Sequence, residues 1–214
     1  MKFFVDTADV NEVKAARALG LADGVTTNPT LIVQSGRDFK KTIIEIAGEI
    51  EGPVIAEGLS EDTRGIVRDG RDMAGWASNV VVKIPATQAG LEAVRILESE
   101  SIHTTVTLIF SPAQALLAAK AGATYICPFV GRLDDIAAPG MELIAQIMAM
   151  YSQYDDLKTQ VIVASIRSPG HVLESALSGA HGVTVPYKVM LQLTRHPLTD
   201  IGIEKFKNDW GKIH

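Results

Sequence analysis

Short apolar runs rich in β-branched residues recur along the chain about every 20 to 35 residues. Runs of this length and composition are typical of buried strands. The segments between them carry apolar residues at positions i, i+3 and i+4, a spacing that predicts amphipathic helices. The predicted strands are 2–7, 24–29, 53–59, 79–85, 103–110, 124–130, 160–166 and 182–187.

Strands that alternate with helices predict βαβ units and a parallel sheet. Eight such units in 214 residues favour a (β/α)8 TIM barrel, close to the lower size limit of that fold. An open, doubly wound sheet is the alternative, although the chain has neither a G-x-G-x-x-G nor a Walker sequence to support it. No linker divides residues 1–214, so we expect a single domain, and residues 199–212 predict an extra C-terminal helix.

Composition and charge exclude several classes of function. The net charge of −5 gives no electrostatic reason to bind nucleic acid or an anionic membrane. No apolar run approaches the roughly 20 residues that span a bilayer, and Asp6 and Asp9 interrupt any signal-peptide core. A single cysteine cannot form an intrachain disulfide, which is consistent with a cytoplasmic protein. The five histidines lack HxxxH and HxH spacing, so we expect no metal site.

Polar residues late in the predicted strands are the candidates for chemistry, because barrel active sites lie at the carboxyl ends of the strands. Lys83 follows three valines in the fourth strand, and Asp6 and Glu57 lie near the ends of the first and third. Residues two apart in a strand share a face. The polar or aromatic pairs with this spacing are Thr26 and Asn28, Thr105 and Thr107, Cys127 and Phe129, and Ser165 and Arg167.

This set of residues suits Schiff-base chemistry on a phosphorylated carbonyl compound. Burial among valines disfavours the charged form of Lys83, and a free amine can attack a carbonyl carbon. A nearby carboxylate can then act as the base in C–C cleavage. Glu57 and Thr107 can hold a water molecule, and Arg132 and Arg167 suit a phosphate group.

Each of these residues also has a structural interpretation. Lys83 can reach solvent from the strand end and form an ion pair with Glu57 or Asp6. Asp6 can cap the first helix, although Asp9 is a competing N-cap. Thr26 and Asn28 can shape the turn before Pro29, Arg132 can form surface ion pairs, and Cys127 can be a small packed residue. His103 and His181 begin strands, far from the predicted site, and are interpreted as structural.

The motifs around these residues resemble those of the transaldolase family, in particular its short branch, which also contains the fructose-6-phosphate aldolases. The resemblance extends over essentially the whole chain, and TTNPT and VVVKIP are its most specific parts. The similar runs are VDTAD, DGVTTNPTL, VVVKIPAT, TVTLIFSPAQALLAAKAGATYICPFVGRLDD, VIVASIRSPGHV and HPLTDIGIEKFKNDW.

The resemblance implies a (β/α)8 barrel and a class I aldol reaction without metal or other cofactor. It implies that Lys83 forms the Schiff base, that Asp6 is the acid/base group, and that Glu57 and Thr107 hold the catalytic water. The remaining similar positions are Thr26 and Asn28, around the donor's hydroxyl groups, and Arg132, Ser165 and Arg167, at the phosphate.

Four positions bear on the choice within this family. The aldolases carry Gln and Tyr where this chain has Glu57 and Phe129, and a phenylalanine has no hydroxyl with which to protonate the bound carbanion. This favours transfer over cleavage. Transaldolases usually carry Asn and Ser where this chain has Thr105 and Cys127, which weakens two donor contacts by about 0.5–1.5 kcal/mol each.

We therefore expect a cytoplasmic transaldolase of the pentose phosphate pathway. It would transfer a dihydroxyacetone unit from sedoheptulose 7-phosphate or fructose 6-phosphate to an aldose phosphate. An aldolase of the fructose-6-phosphate type is the first alternative, and a non-catalytic sugar-phosphate-binding barrel is the second. The resemblance also implies a homo-pentamer or homo-decamer, with the C-terminal helix packed on a neighbouring subunit.

Overall fold

The computed structural model describes residues 1–213, in which eight parallel strands close into a barrel in chain order. The first strand pairs with both the second and the eighth, so the open doubly wound sheet is wrong. All eight predicted strands are confirmed, each one to three residues shorter than the sequence suggests. They are β1 Lys2–Asp6, β2 Gly24–Thr26, β3 Val54–Glu57, β4 Val80–Pro85, β5 Thr104–Ile109, β6 Tyr125–Pro128, β7 Gln160–Val163 and β8 Gly182–Val185.

Helices follow every strand and surround the barrel, as in other TIM barrels. Three short ones, the second, seventh and tenth, were not predicted from apolar spacing, because four to seven residues are too few to show it. The helices are α1 Val10–Ala18, α2 Pro29–Ser35, α3 Phe39–Glu49, α4 Thr63–Ala74, α5 Gln88–Ser99, α6 Pro112–Lys120, α7 Gly131–Asp134, α8 Gly140–Tyr151, α9 Pro169–Leu177, α10 Tyr187–Gln192 and α11 Pro197–Trp210.

Two apolar layers hold the strands in place. The outward-facing strand residues, such as Val82 and Val106, pack against the helices in the larger layer. A smaller cluster fills the inside of the barrel and includes Phe4, Ile55 and Tyr125. This inner cluster fills the barrel. The polar groups beyond it can therefore be reached only from the carboxyl ends of the strands.

The C-terminal helix α11 confirms the helix predicted for residues 199–212, but it begins two residues earlier. His196 is its N-cap and Pro197 occupies the first turn, where a missing N–H is tolerated. None of its residues is buried, and Leu198, Ile201 and Phe206 are exposed. Within the described residues, no helix combines the length and the apolar character needed to cross a membrane.

Candidate active site

The carboxyl ends of five strands bring the polar side chains of the site together. The strand register sets Glu57 beside Lys83, and Lys83 beside Thr105. Between β1 and β2 it sets Asp6 beside Thr26. Alternate residues of barrel strands face the interior, so these five side chains converge at one mouth of the barrel.

Lys83 lies inside the barrel with 7% of its side-chain surface exposed. Its Nζ atom is 3.0 Å from Glu57 Oε2 and donates to the backbone carbonyl of Thr27 at 3.1 Å. The side chain does not reach solvent from the strand end, but the ion pair with Glu57 is present. A buried ion pair is weak evidence of a stabilising role, because desolvation offsets much of the Coulomb attraction. The pairing is therefore compatible with a chemical role for Lys83.

Asp6 ends β1 and interacts electrostatically with Lys83. Burial raises the pKa of Asp6, and the Lys83 charge and the hydrogen bond from Thr26 oppose that shift only in part. A carboxyl group whose pKa moves toward neutral pH is suited to general acid and base catalysis. The N-cap of α1 is Asp9, whose Oδ1 accepts from the Asn11 N–H at 2.8 Å, so the capping alternative for Asp6 is wrong.

Thr105 and Thr107 present two buried hydroxyl groups to the same space. Within the described residues neither hydroxyl has a hydrogen-bond partner. Buried polar groups are almost always satisfied, so this pair indicates a place for a water molecule or a bound ligand. Leu108 follows with a left-handed φ of 56°, and the register between β5 and β6 shifts there. Such strained irregularities are frequent next to functional sites.

Asn28 lies beyond the end of β2 and has a structural task. Its Oδ1 accepts from the Leu31 N–H at 2.9 Å, which makes it the N-cap of α2, with Pro29 next to it. Asn28 therefore begins a helix where the sequence interpretation expected a turn. Its amide NH2 group remains a potential donor to a substrate hydroxyl.

Cys127 and Phe129 follow one another on the inner face of β6 and just beyond it. Cys127 is buried in the inner cluster, and burial raises the pKa of its thiol to about 12. The thiol stays protonated at neutral pH, which agrees with a small packed residue and not a nucleophile. Phe129 packs edge-on against Phe110 and lies 5.5 Å from the guanidinium of Arg132.

The two candidate phosphate-binding arginines differ in their surroundings. Arg167 is paired with Asp135 at 2.9 Å. Arg132 is exposed and, among residues 1–213, forms no ion pair, so the surface-pair interpretation of Arg132 is wrong. Ser165 adopts a left-handed φ of 60°, an uncommon conformation for a serine.

Gly131 allows Arg167 to approach the end of β6. A Cβ atom at position 131 would lie 2.7 Å from Arg167 Cγ and 2.3 Å from the carbonyl oxygen of Ser165. Any side chain there would displace both residues. The glycine therefore permits the close approach of Ser165 and Arg167 to the start of α7, where Arg132 is the next residue.

The sequence interpretation missed two residues of this region. Thr184 in β8 lies in hydrogen-bond contact with Thr26 in the barrel interior. Period-two alternation in GVTVPY, with valines on either side, is the signal that would have identified it. His171 accepts from the Arg167 N–H at 3.2 Å and contacts Asp134 at 3.0 Å. No spacing rule identifies His171, because its partners come from two other elements.

Among residues 1–213, no group of three or more His, Cys, Asp or Glu side chains is arranged to hold a metal ion. His103 and His181 lie at the amino ends of β5 and β8, as the sequence suggested. His103 Nδ1 is 3.0 Å from Thr124 Oγ1, and His181 Nδ1 accepts from the Val161 N–H at 3.1 Å. Both contacts are structural.

Comparison with known proteins points to one family. A family model described as Transaldolase/Fructose-6-phosphate aldolase matches residues 3–214. A probable transaldolase of Aquifex aeolicus (strain VF5) is 59% identical over 213 residues, which cover 100% of this chain and 98% of that protein. A probable transaldolase of Caldicellulosiruptor saccharolyticus is 55% identical with the same coverage. A probable transaldolase of Thermoanaerobacter sp. (strain X514) is 54% identical over 212 residues, which cover 99% of this chain and 98% of that protein. The chain therefore belongs to the transaldolase/fructose-6-phosphate aldolase family.

Proposed function

We propose that this protein is a transaldolase that transfers a three-carbon dihydroxyacetone unit between sugar phosphates through a Schiff base on Lys83. The observation that carries the proposal is the buried Lys83 amine, 3.0 Å from one carboxylate and under the electrostatic influence of a second. The names of the full-length relatives, each a probable transaldolase, support the same activity.

The first step needs an unprotonated amine. Transfer of one proton from Lys83 to Glu57 across their contact releases the nitrogen lone pair. The amine attacks the carbonyl carbon of a ketose phosphate, and loss of water from the carbinolamine leaves an iminium ion. Glu57 and the unpaired hydroxyl of Thr107 are available to hold this water, and the unpaired hydroxyl of Thr105 is available to a hydroxyl group of the donor.

The second step breaks a C–C bond and requires a base. The Asp6 carboxylate takes the proton from the donor hydroxyl on the carbon of the breaking bond that lies farther from the iminium. This carbon becomes the aldehyde of the aldose phosphate that leaves. The electron pair of the broken bond passes to the iminium and forms an enamine. Addition of this enamine to a second aldose phosphate reverses the sequence, and Asp6 returns its proton to the new alkoxide.

The substrate phosphate would bind where Arg132, Ser165 and Arg167 meet. Arg132 is available for a bidentate contact, whereas Arg167 has to exchange Asp135 for the phosphate. That exchange replaces an exposed carboxylate with a more highly charged anion, so it is favourable when substrate is present. Arg132 lies 5.5 Å from the Phe129 ring.

Phe129 favours transfer over cleavage. It offers no hydroxyl to protonate the enamine, so the three-carbon fragment stays on Lys83 until an acceptor aldehyde arrives. The changes at Thr105 and Cys127 keep an aldolase of the fructose-6-phosphate type as the second candidate, because they remove donor contacts usual in transaldolases.

Borohydride reduction in the presence of fructose 6-phosphate tests the mechanism. We expect a stable mass increase on the peptide that contains Lys83, and none in Lys83→Met. Absence of the adduct at saturating substrate would contradict the Schiff base and favour a non-catalytic binding barrel.

Addition of erythrose 4-phosphate separates the two enzymatic candidates. A transaldolase forms glyceraldehyde 3-phosphate over many turnovers only with this acceptor. Free dihydroxyacetone or glyceraldehyde 3-phosphate produced over many turnovers without acceptor would favour the aldolase.

We also propose a homo-pentamer or homo-decamer in the cytoplasm. The exposed apolar residues of α11 support the packing of this helix on a neighbouring subunit. Light scattering coupled to size-exclusion chromatography measures the assembly directly. Five or ten chains are expected, and a monomer at micromolar concentration would contradict the proposal.

A further inference from the structure

Thr184 is a buried polar residue of the barrel interior that the reaction as proposed does not use. It lies in the middle of β8 with 4% of its surface exposed. Its neighbours Val183 and Val185 face outward into the layer between strands and helices. Alternation therefore points Thr184 inward, where its Oγ1 contacts Thr26 Oγ1.

The direction of this contact follows from the number of protons on a hydroxyl group. Thr26 Oγ1 donates its single proton to Asp6 Oδ1 at 3.0 Å. It can therefore only accept from Thr184, so Thr184 donates. The three side chains form one chain of hydrogen bonds that runs from β8 through β2 to the carboxylate at the end of β1.

The groups around Asp6 explain why this chain matters. Lys83 from β4 favours the carboxylate form, whereas burial disfavours it. Cys127 from β6 interacts electrostatically with Asp6, Lys83 and Glu57, and Glu57 from β3 is paired with Lys83. Thr26 supplies the one side-chain hydrogen bond to Asp6 among the described residues. The orientation of its hydroxyl therefore has a direct effect on Asp6.

We propose that Thr184 is a positioning residue that fixes the Thr26 hydroxyl as a donor to Asp6 and so sets the protonation equilibrium of this carboxyl group. Without Thr184, no buried donor polarises the Thr26 hydroxyl, so this hydroxyl becomes a weaker donor to the carboxylate. Cooperative hydrogen bonds strengthen one another, so the loss of the outer one also weakens the inner one. The catalytic consequence rests on the proposed function, in which Asp6 is the base.

The test compares Thr184→Val with Thr184→Ser. Valine keeps the shape and removes the donor, and serine keeps the donor and removes a methyl group. We expect Thr184→Val to move the acidic limb of the kcat/KM pH profile upward by about half to one pH unit, on the scale of one neutral hydrogen bond. Thr184→Ser should retain the wild-type limb. An unchanged limb in Thr184→Val, or equal shifts in both variants, would overturn the proposal.

A double-mutant cycle shows whether Thr184 acts through Thr26. In a Thr26→Val background, Thr184→Val should move the limb by less than about a third of its shift in the wild type, because the connecting hydroxyl is gone. A full shift in that background would contradict a relay, that is, an effect of Thr184 on Asp6 that passes through the Thr26 hydroxyl. If Thr184→Val does not fold, Thr184→Ala against Thr184→Ser makes the same comparison.

Titration of the Asp6 carboxyl by carbon-13 NMR separates this proposal from the proposed function. The titration needs no turnover, and the midpoint should rise in Thr184→Val and not in Thr184→Ser. A wild-type protein without transaldolase activity but with this midpoint shift would refute the function and leave the relay intact. An active wild type with unchanged midpoints would refute the relay alone.

Discussion

At the amino end of the barrel the Glu98 carboxylate accepts four hydrogen bonds, whereas at the carboxyl end two buried threonine hydroxyls have no partner. The donors to Glu98 are the backbone N–H and hydroxyl groups of Thr104 and Thr124, at 2.6–2.9 Å. These contacts join the ends of β5 and β6 to the end of α5. On the inner face of the same strand, where Thr105 pairs with Lys83, the hydroxyls of Thr105 and Thr107 are left unsatisfied.

Other polar residues at the amino end also bind backbone groups. The Asn79 amide donates to three carbonyls, those of Ala47, Ile50 and Gly52, at 2.9–3.3 Å. Asp23 accepts from the Phe3 N–H at 2.8 Å. Such side chains complete the hydrogen bonding of strand ends and retain little capacity for a ligand.

The carboxyl end holds the groups that burial destabilises. Asp6 has a raised pKa, Lys83 and Glu57 form a buried ion pair, and Thr105 and Thr107 lack partners. Each of these arrangements costs folding free energy unless a ligand compensates for it. The contrast teaches that burial of a polar residue does not itself indicate function in this barrel. Function is indicated instead by hydrogen-bonding groups without a partner and by a shifted pKa.

Removal of the Lys83 amine should produce the largest effect, and this effect should be confined to catalytic activity. Lys83→Met should lower kcat/KM by on the order of 10⁴-fold or more, because no other group can form the Schiff base. The variant should remain folded, since methionine suits the apolar strand. Far-ultraviolet circular dichroism and a coupled assay measure the two properties. Lys41→Met, at an exposed lysine, is the matched control and should be fully active.

Unfolding of Lys83→Met at room temperature would instead assign a structural role to its ion pair with Glu57. That result would remove the contrast between the two ends of the barrel.

Loss of the Glu98 carboxylate at the amino end should have the opposite effect: the protein should lose stability and keep its activity. Glu98→Ala leaves the donors of Thr104 and Thr124 without their acceptor and should destabilise the protein by about 2–3 kcal/mol. For a chain of this size that lowers Tm by roughly 5–10 °C, measurable by calorimetry. The kcat of the folded fraction should stay within about twofold of wild type.

Glu98→Gln is the control at the amino end, because its amide oxygen preserves one acceptor and should reduce the loss of stability. A large fall in the kcat of folded Glu98→Ala would mean that the two ends are coupled.

The smallest effect concerns the stability cost of Asp6. Its pKa in the folded protein lies above the usual value of 3.8, so between these two pKa values the folded state binds more protons than the unfolded state. The contribution of Asp6 to the free energy of unfolding therefore falls as pH rises from the unfolded to the folded pKa, and it stays lowered at higher pH. Asp6→Asn should remove the penalty and raise Tm above the window, and each 1 kcal/mol gained would add roughly 2–4 °C.

Thermal unfolding of wild type and Asp6→Asn from pH 5 to 8 measures this difference, which should grow with pH. Asp156→Asn, at an exposed carboxylate, is the control. A Tm difference that shrinks with pH would mean that Lys83 stabilises the charged form by more than burial destabilises it.

Most of the fold and much of the site followed from local patterns. Eight apolar runs separated by helical spacing predicted the barrel, because each βαβ unit repeats the same geometry. Lys83, Asp6 and Glu57 were predicted together because barrel strands end at a common mouth. The short helix α2 was not predicted, because its signal in the sequence is the Asn28 cap followed by Pro29, and the same residues also fit a turn.

The sequence by itself determined the barrel, the end at which the candidate site lies and the residue types that meet there. Only the tertiary structure decided how each polar group is satisfied. Thr26 and Thr184 are 158 positions apart and meet only because β8 closes against β1. Whether a buried group is saturated, as Glu98 is, or left with spare capacity, as Thr107 is, depends on such distant partners. Spacing along the chain carries no information about them.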